Sequence, residues 1–211
     1  CRQFTSTQLT VDRPPSRRRI PVGPILAGLV VASAGDQDPV LPFMIWHAVE
    51  PLTAEDPQPV FEWLAAEGSR HLPLAAELAR KSVLRMCDQG TPASVERAVG
   101  FLTRTLADQP DLAMAALDGL IAGQQARPVL PASAPVGPLI TRLTTDPHPG
   151  VVERGQRLGT LWGDAQALRS VLTLALDTSA PLDRRLRAIQ TARHGKTDTT
   201  RTALLQLLAP E

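Results

Sequence analysis

The 211-residue chain has no tyrosine, and aromatic residues make up only 3% of it. Strands draw on aromatic and β-branched side chains to fill their pleated surfaces, so a sheet-built core has little to work with. Cysteine is nearly as scarce: Cys1 and Cys87 stand alone, in no CxxC or Cys/His spacing. Neither a disulfide framework nor a cysteine-held zinc site follows from such a pair. Charge of one sign is also missing, the formal balance being +1, and no long-range field draws the chain to nucleic acid or an anionic membrane. The most apolar run, "GPILAGLVVASAG", is short and interrupted, well below the roughly 20 residues of a helical membrane span. Strained serine elbows, paired carboxylates in a pocket context and glycine-rich phosphate loops are absent too, so hydrolytic and phosphoryl-transfer chemistry find no carrier.

Leucine, alanine and proline dominate instead. Apolar residues reach 43%, and a chain of this length buries most of its apolar surface. Unbranched and small side chains lose little rotamer freedom in a helix, which favours helices throughout. The 20 prolines fit that reading when they open helices, since the N–H they lack is unpaired in a first turn anyway. Asp38-Pro39, Asp56-Pro57, Thr91-Pro92 and Asp146-Pro147 each combine an N-cap type with proline ahead of an apolar stretch, and Pro73, Pro110 and Pro181 mark similar starts.

Behind those starts the apolar spacing is three and four. Leu41, Ile45, Ala48 and Leu52 form one stripe, followed by Val60, Phe61, Leu64 and Ala65, then Ala75, Leu78, Ala79 and Val83. Val95, Ala98, Val99, Leu102 and Leu106 continue it, as do Leu112, Ala115, Ala116, Gly119 and Leu120. The predicted organisation is a basic, partly irregular lead-in over 1–22, a helical array over 23–126, a Pro/Ala-rich linker or long loop over 127–138, and repeats over 139–211. In the last part, Val152 and Leu186 hold equivalent places about thirty-four residues apart, a period of helical-pair repeats. The predicted fold is an all-α, HEAT-like α-solenoid of antiparallel helix pairs, in which each pair buries its stripe against the next.

Local charge is uneven. Arg2 to Arg19 is basic, with Arg17 to Arg19 in a row, and Asp36 to Glu67 is acidic. The basic run reads as a solvated lead-in or as an interaction arm. The chain opens on Cys1; a mature lipoprotein begins so, but the expectation is a cut within a longer chain.

"DPHPGVVERGQRLGTLWGD" resembles a HEAT-like repeat, with an Asp-Pro turn, a valine, an arginine and a leucine-glycine ending; Gly155 stands where alanine is usual. "RRIPVGPILAGLVVASAGDQDPVLPFMIWHAVEPL" resembles the helical segment of large multidomain c-type cytochromes of the Planctomycetes and Verrucomicrobia group, often labelled membrane-bound dehydrogenases. Asp38, Pro39, Leu41, Pro42, Trp46, Ala48, Glu50 and Pro51 carry that second resemblance. It implies a solenoid lying between a β-propeller and a haem domain, in an extracytoplasmic protein. Haem c is then expected in a neighbouring domain, with no cofactor or metal in this segment, because a CxxCH attachment motif is absent.

Two groups of residues are candidates for contact. Phe43, Trp46, His47 and Glu50 form a docking patch for a neighbouring domain, or else Phe43 and Trp46 cement their helix to the one bearing Phe61 and Trp63. Arg184, Arg185, Arg187 and Arg193, with Lys196, make a basic end that suits phosphate, although Asp177 and Asp183 lie close by. His71, His148 and His194 read as capping or surface histidines, Met44, Met86 and Met114 as core filler, and Glu55 and Glu62 as a solvated face. The expected function is a non-catalytic scaffold and interdomain docking segment. A stand-alone adaptor for a protein or peptide is the alternative, and nucleic-acid binding a third.

Overall fold

A computed structural model describes residues 22–35, 38–66, 69, 72–125, 128–195 and 198–206. The expected lead-in, with Cys1 and Arg17 to Arg19, lies outside the described residues except at Val22, as do His71 and Lys196. Every regular element among the described residues is helical, as composition predicts. The α-helices are α1 (Val22–Ala32), α2 (Leu41–Glu55), α3 (Gln58–Ala65), α4 (Ala75–Asp88), α5 (Pro92–Thr105), α6 (Pro110–Gln124), α7 (Val136–Thr144), α8 (Pro149–Leu161), α9 (Ala165–Leu176), α10 (Leu182–Ala192) and α11 (Asp198–Gln206).

Proline does open helices, but the aspartate of each Asp-Pro pair lies one or two residues ahead of the cap it was predicted to be. Thr91 caps α5 as expected, its hydroxyl accepting from the Ser94 N–H with Pro92 in the first turn. Asp38, Asp56 and Asp146 each instead accept from the N–H two residues on, at Val40, Gln58 and His148. This is an Asx turn, in which a short carboxylate replaces one backbone bond just outside the helix. The N-caps proper are Val40, Pro57 and His148. Proline's fixed φ lets Pro57 enter helical geometry itself, at φ −72° and ψ −16°, and this moves the boundary inward.

Most predicted stripes are buried faces: Val60, Phe61 and Leu64 in α3, Ala75, Leu78, Ala79 and Val83 in α4, and Val95, Ala98, Val99 and Leu102 in α5. The α2 stripe is a correction. Its buried residues are Ile45, Val49 and Thr53, while Ala48 is exposed. Nearly every position from Val40 to Val49 is apolar, so spacing alone did not choose the face. A second difference lies at the long connection, where Val136 to Pro138, read as loop, form the first turn of α7.

Most neighbours in sequence touch, and so do several alternate helices: α2 meets α4, α4 meets α6, α6 meets α8, and α8 meets α10, while α1 meets α3 and α3 meets α5. Glycine makes the central crossing possible, because a Cβ at Gly119 would collide with the Arg80 carbonyl of α4 and one at Gly123 with Cys87. Gly155 acts likewise, since a Cβ there would stand 2.6 Å from the Leu143 Cβ of α7. The main core runs from Leu26 to Ala167 and passes across the 125–135 connection without a break. A smaller core, Val171, Leu172, Ala175, Ala188, Ala192 and Ala203, joins α9, α10 and α11.

Candidate functional site

The sequence from Val40 to Pro51 makes α2 apolar nearly all round, and a helix of that kind is normally covered on every side. Here it is not. Val40, Met44 and His47, spaced i, i+4, i+7, form an outward stripe, with Val40 55% and Met44 57% exposed. Phe43, 54% exposed, lies beside the stripe with its ring edge on His47 at 4.2 Å between centroids. On α1, Ile25 and Leu29 add exposed side chains one turn apart.

The structure therefore splits the predicted docking patch. Phe43 and His47 face solvent, whereas Trp46 and Glu50 turn toward α4. Lys81 Nζ stands 5.8 Å from the Trp46 ring centroid, within cation–π range. Glu50 Oε1 lies 3.3 Å from Arg85 Nε, an ion pair by distance whose angle falls short of a hydrogen bond. Of the two residues expected to cement α2 to the helix bearing Phe61 and Trp63, Phe43 is exposed, and Phe61 stacks on Phe101 of α5 at 4.5 Å and 15°. Pro51, also part of the family-like stretch, sits inside α2 and removes a bond to the His47 carbonyl.

The predicted basic end is dispersed. Arg187 is held by Glu153 at 3.1 Å and Asp183 at 3.0 Å, and Arg185 Nε donates to the Ala175 carbonyl of α9. Arg193 lies at the far end of α10, donating to His194 Nε2. Burial pushes the His194 pKa below its ordinary value, helped by Arg193 and Arg157. Arg184 and Arg187 do share one feature, a half-open groove of about 420 Å³ between α8, α9 and α10. Its floor is Val152, Val171, Leu174 and Ala188, and Asp146 and Glu153 stand on the α8 side. Asp146 already bonds the His148 N–H.

Other candidates are structural. His148 Nδ1 accepts from the Gly150 N–H and caps α8, the role its position suggested. Met86 is fully buried and Met114 packs against Gly150, but Met44 is exposed rather than core filler. Asp56 serves the Asx turn, and Glu62 accepts from the Gln58 amide. Ser179 donates to Asp177 by hydroxyl and backbone, holding that carboxyl below its usual range.

Sequence reasoning missed three glutamines that close gaps between elements. Gln89 donates to the Ala54 carbonyl and Gln109 to that of Ala65, satisfying the ends of α2 and α3. Gln124, 1% exposed, accepts from the Val129 N–H and the Trp162 indole while donating to Cys87 Sγ. Burial raises the Cys87 thiol to about 11, against the lowering effect of that Gln124 donor. Arg154 forks onto Asp118 at 2.8 and 2.9 Å, tying α8 to α6. The chain contains no CxxCH, Met86 is fully buried in the core and Met114 packs partly buried against it. No group of three or more His, Cys, Asp or Glu suited to a metal occurs among the described residues, nor is any described helix long and apolar enough to cross a membrane.

No family model, curated protein or solved structure matches this chain.

Proposed function

We propose that the chain is a non-catalytic, HEAT-like helical scaffold that docks a neighbouring protein domain through the outer face of α1 and α2. The observation that carries this reading is the run of exposed apolar side chains at Ile25, Leu29, Val40, Phe43 and Met44. Exposed apolar residues scattered singly are ordinary, but a helix apolar on its outward stripe marks a contact surface. The contacts between alternate helices support a stack of antiparallel pairs, since a repeat array buries each layer against the next. In such a stack an uncovered end is where another body sits.

The sequence resemblance supports reading the parent as an extracytoplasmic c-type cytochrome, with a propeller and a haem domain beside the scaffold. It rests on Asp38 to Pro51 alone, and several of those residues have structural duties: Asp38 turns the chain, Pro42 opens α2, and Trp46 and Glu50 bind α4. A stand-alone adaptor holding a peptide is the second reading, favoured by the apolar-floored groove at α8 to α10. Nucleic-acid binding is disfavoured by the ion pairs that already engage Arg187.

The coding sequence on either side of Cys1 and Glu211 tests the parent protein: a propeller and a CxxCH motif support it, a start and a stop codon remove it. The surface is tested by Phe43→Ser/Met44→Ser. Because both side chains are exposed, the variant should melt within about 2 °C of the parent, the shift expected of a surface change within about 0.5 kcal/mol. It should also lose association with the flanking domain supplied separately. Retained association would defeat the docking reading.

A further inference from the structure

The groove between α8, α9 and α10 carries a charge that nothing in it answers. Its helix α10 leans on α9 and meets α8 only lightly, and the short side chain of Ala188 leaves room over the floor of Val152, Val171 and Leu174. Arg187 pairs from α10 to Glu153 of α8 at 3.1 Å and also holds Asp183 at 3.0 Å. Asp146 accepts from the His148 N–H just ahead of α8, and the positive end of that helix offsets its charge. Arg184 is different. It is exposed in the first turn of α10, and its guanidinium has no ion pair or hydrogen bond among the described residues. A cation at the positive end of a helix is relieved when an anion is brought to it.

An apolar floor beside one free cation sets the chemistry of what fits. A nucleic-acid strand needs several cations along its backbone and gains little from such a floor. The walls run along α8 from Pro149 to Gln156 and along α10 from Arg184 to Thr191, about 10 Å each at 1.5 Å per residue. That is the length of about three extended residues, and the groove is half open, so a chain can continue past it. A small molecule would stay largely in water there, whereas small-molecule sites enclose most of their ligand. The rim is also preformed, because Pro147 and Pro149 fix the backbone on either side of His148 and little ordering is lost on binding.

On the adaptor reading of this groove, on which the inference rests, we propose that it holds a short acidic, apolar peptide segment of a partner protein. One large apolar side chain of the segment lies on Val152, Val171 and Leu174, and a nearby Asp or Glu carboxylate pairs with Arg184. Asp146 and Glu153 on the opposite wall repel a second acid, so the acidic flank of the peptide faces α10.

Selection of phage-displayed random dodecapeptides on the full chain tests it, with the affinities of selected peptides measured by fluorescence anisotropy. Only peptides that bind Phe43→Ser/Met44→Ser as well as the parent are kept, so that the α1–α2 face is not what is read. The kept peptides should share an apolar residue and an Asp or Glu. Arg184→Glu should leave the melting point unchanged and weaken binding about tenfold, an exposed ion pair lost and a repulsion of like size gained. Val152→Trp, which sets a bulky side chain in the groove, should weaken it at least as much; Gln156→Trp on the same wall replaces that variant if it melts early. Added salt should weaken binding to the parent but not to Arg184→Glu. Peptides blocked by Val152→Trp that lack an acid, or that bind Arg184→Glu unchanged, overturn the acidic assignment and leave the groove a peptide site. Failure to select any peptide, or kept peptides indifferent to both variants, overturns the assignment and the adaptor reading together.

Discussion

Gln124 shows how one polar side chain can hold a long connection in place. The carbonyl accepts two N–H donors, from Val129 in the connection and from the Trp162 indole after α8, and the amide reaches Cys87 of α4. Four parts of the chain therefore meet on a residue that is 1% exposed. Gln124→Leu fills nearly the same volume but strands both donors, and an unsatisfied buried group costs about 1–3 kcal/mol. Urea unfolding followed by circular dichroism should show a lower midpoint with an unchanged slope, the mark of lost stability without a change in the surface exposed. An unaltered midpoint would mean that the two donors find water instead. Nothing in sequence singles this glutamine out, because its partners lie 5, 37 and 38 residues away.

At the scale of elements, glycine has opposite effects at different crossings. In α6, a methyl at Gly119 would collide with the Arg80 carbonyl, a backbone atom that moves only with α4 itself. Gly119→Ala should cost about 1–3 kcal/mol as overpacking, outweighing its gain of up to 1 kcal/mol in helix propensity. Gly100 in α5 has nothing within 4 Å of the same methyl, so Gly100→Ala should stabilise by up to about 1 kcal/mol. Thermal melts of the two variants should move in opposite directions, and a common direction would refute the crossing geometry. Much at this scale was legible from sequence: spacing of three and four located the helices, and Thr91-Pro92 marked a real boundary. The face of α2 was not legible, since Leu41 through Val49 offers apolar residues in every direction and only tertiary contact selects Ile45 and Val49. The groove at α8 to α10 escaped for a related reason. It depends on how far two alternate helices stand apart, and local spacing does not encode that distance.

Across the described residues, burial is divided unevenly between two cores. The main core includes Phe61, Phe101, Leu64, Leu78, Met86, Leu102, Leu117 and Leu120 among its fully buried side chains, each worth about 1.5–3 kcal/mol of burial. The smaller core beneath α9, α10 and α11 has Ala175, Ala188, Ala192 and Ala203 as four of its buried members, and a methyl contributes only about 0.8 kcal/mol. Leu182 and Leu186 of α10 are meanwhile exposed, so this end withdraws less apolar surface from water than its leucine content would allow. Local opening free energies follow local burial, so the end held by the smaller core can open while the larger one stays closed. Amide hydrogen exchange should therefore rank α4 and α6 as the slowest helices and α10 and α11 as the fastest of the C-terminal part, with exchange in α10 and α11 insensitive to Gly119→Ala. Uniform protection from α4 to α11, or a loss of protection in α10 on changing Gly119, would mean that the two cores unfold as one unit. In that case the groove between them would be a rigid wall rather than a seam.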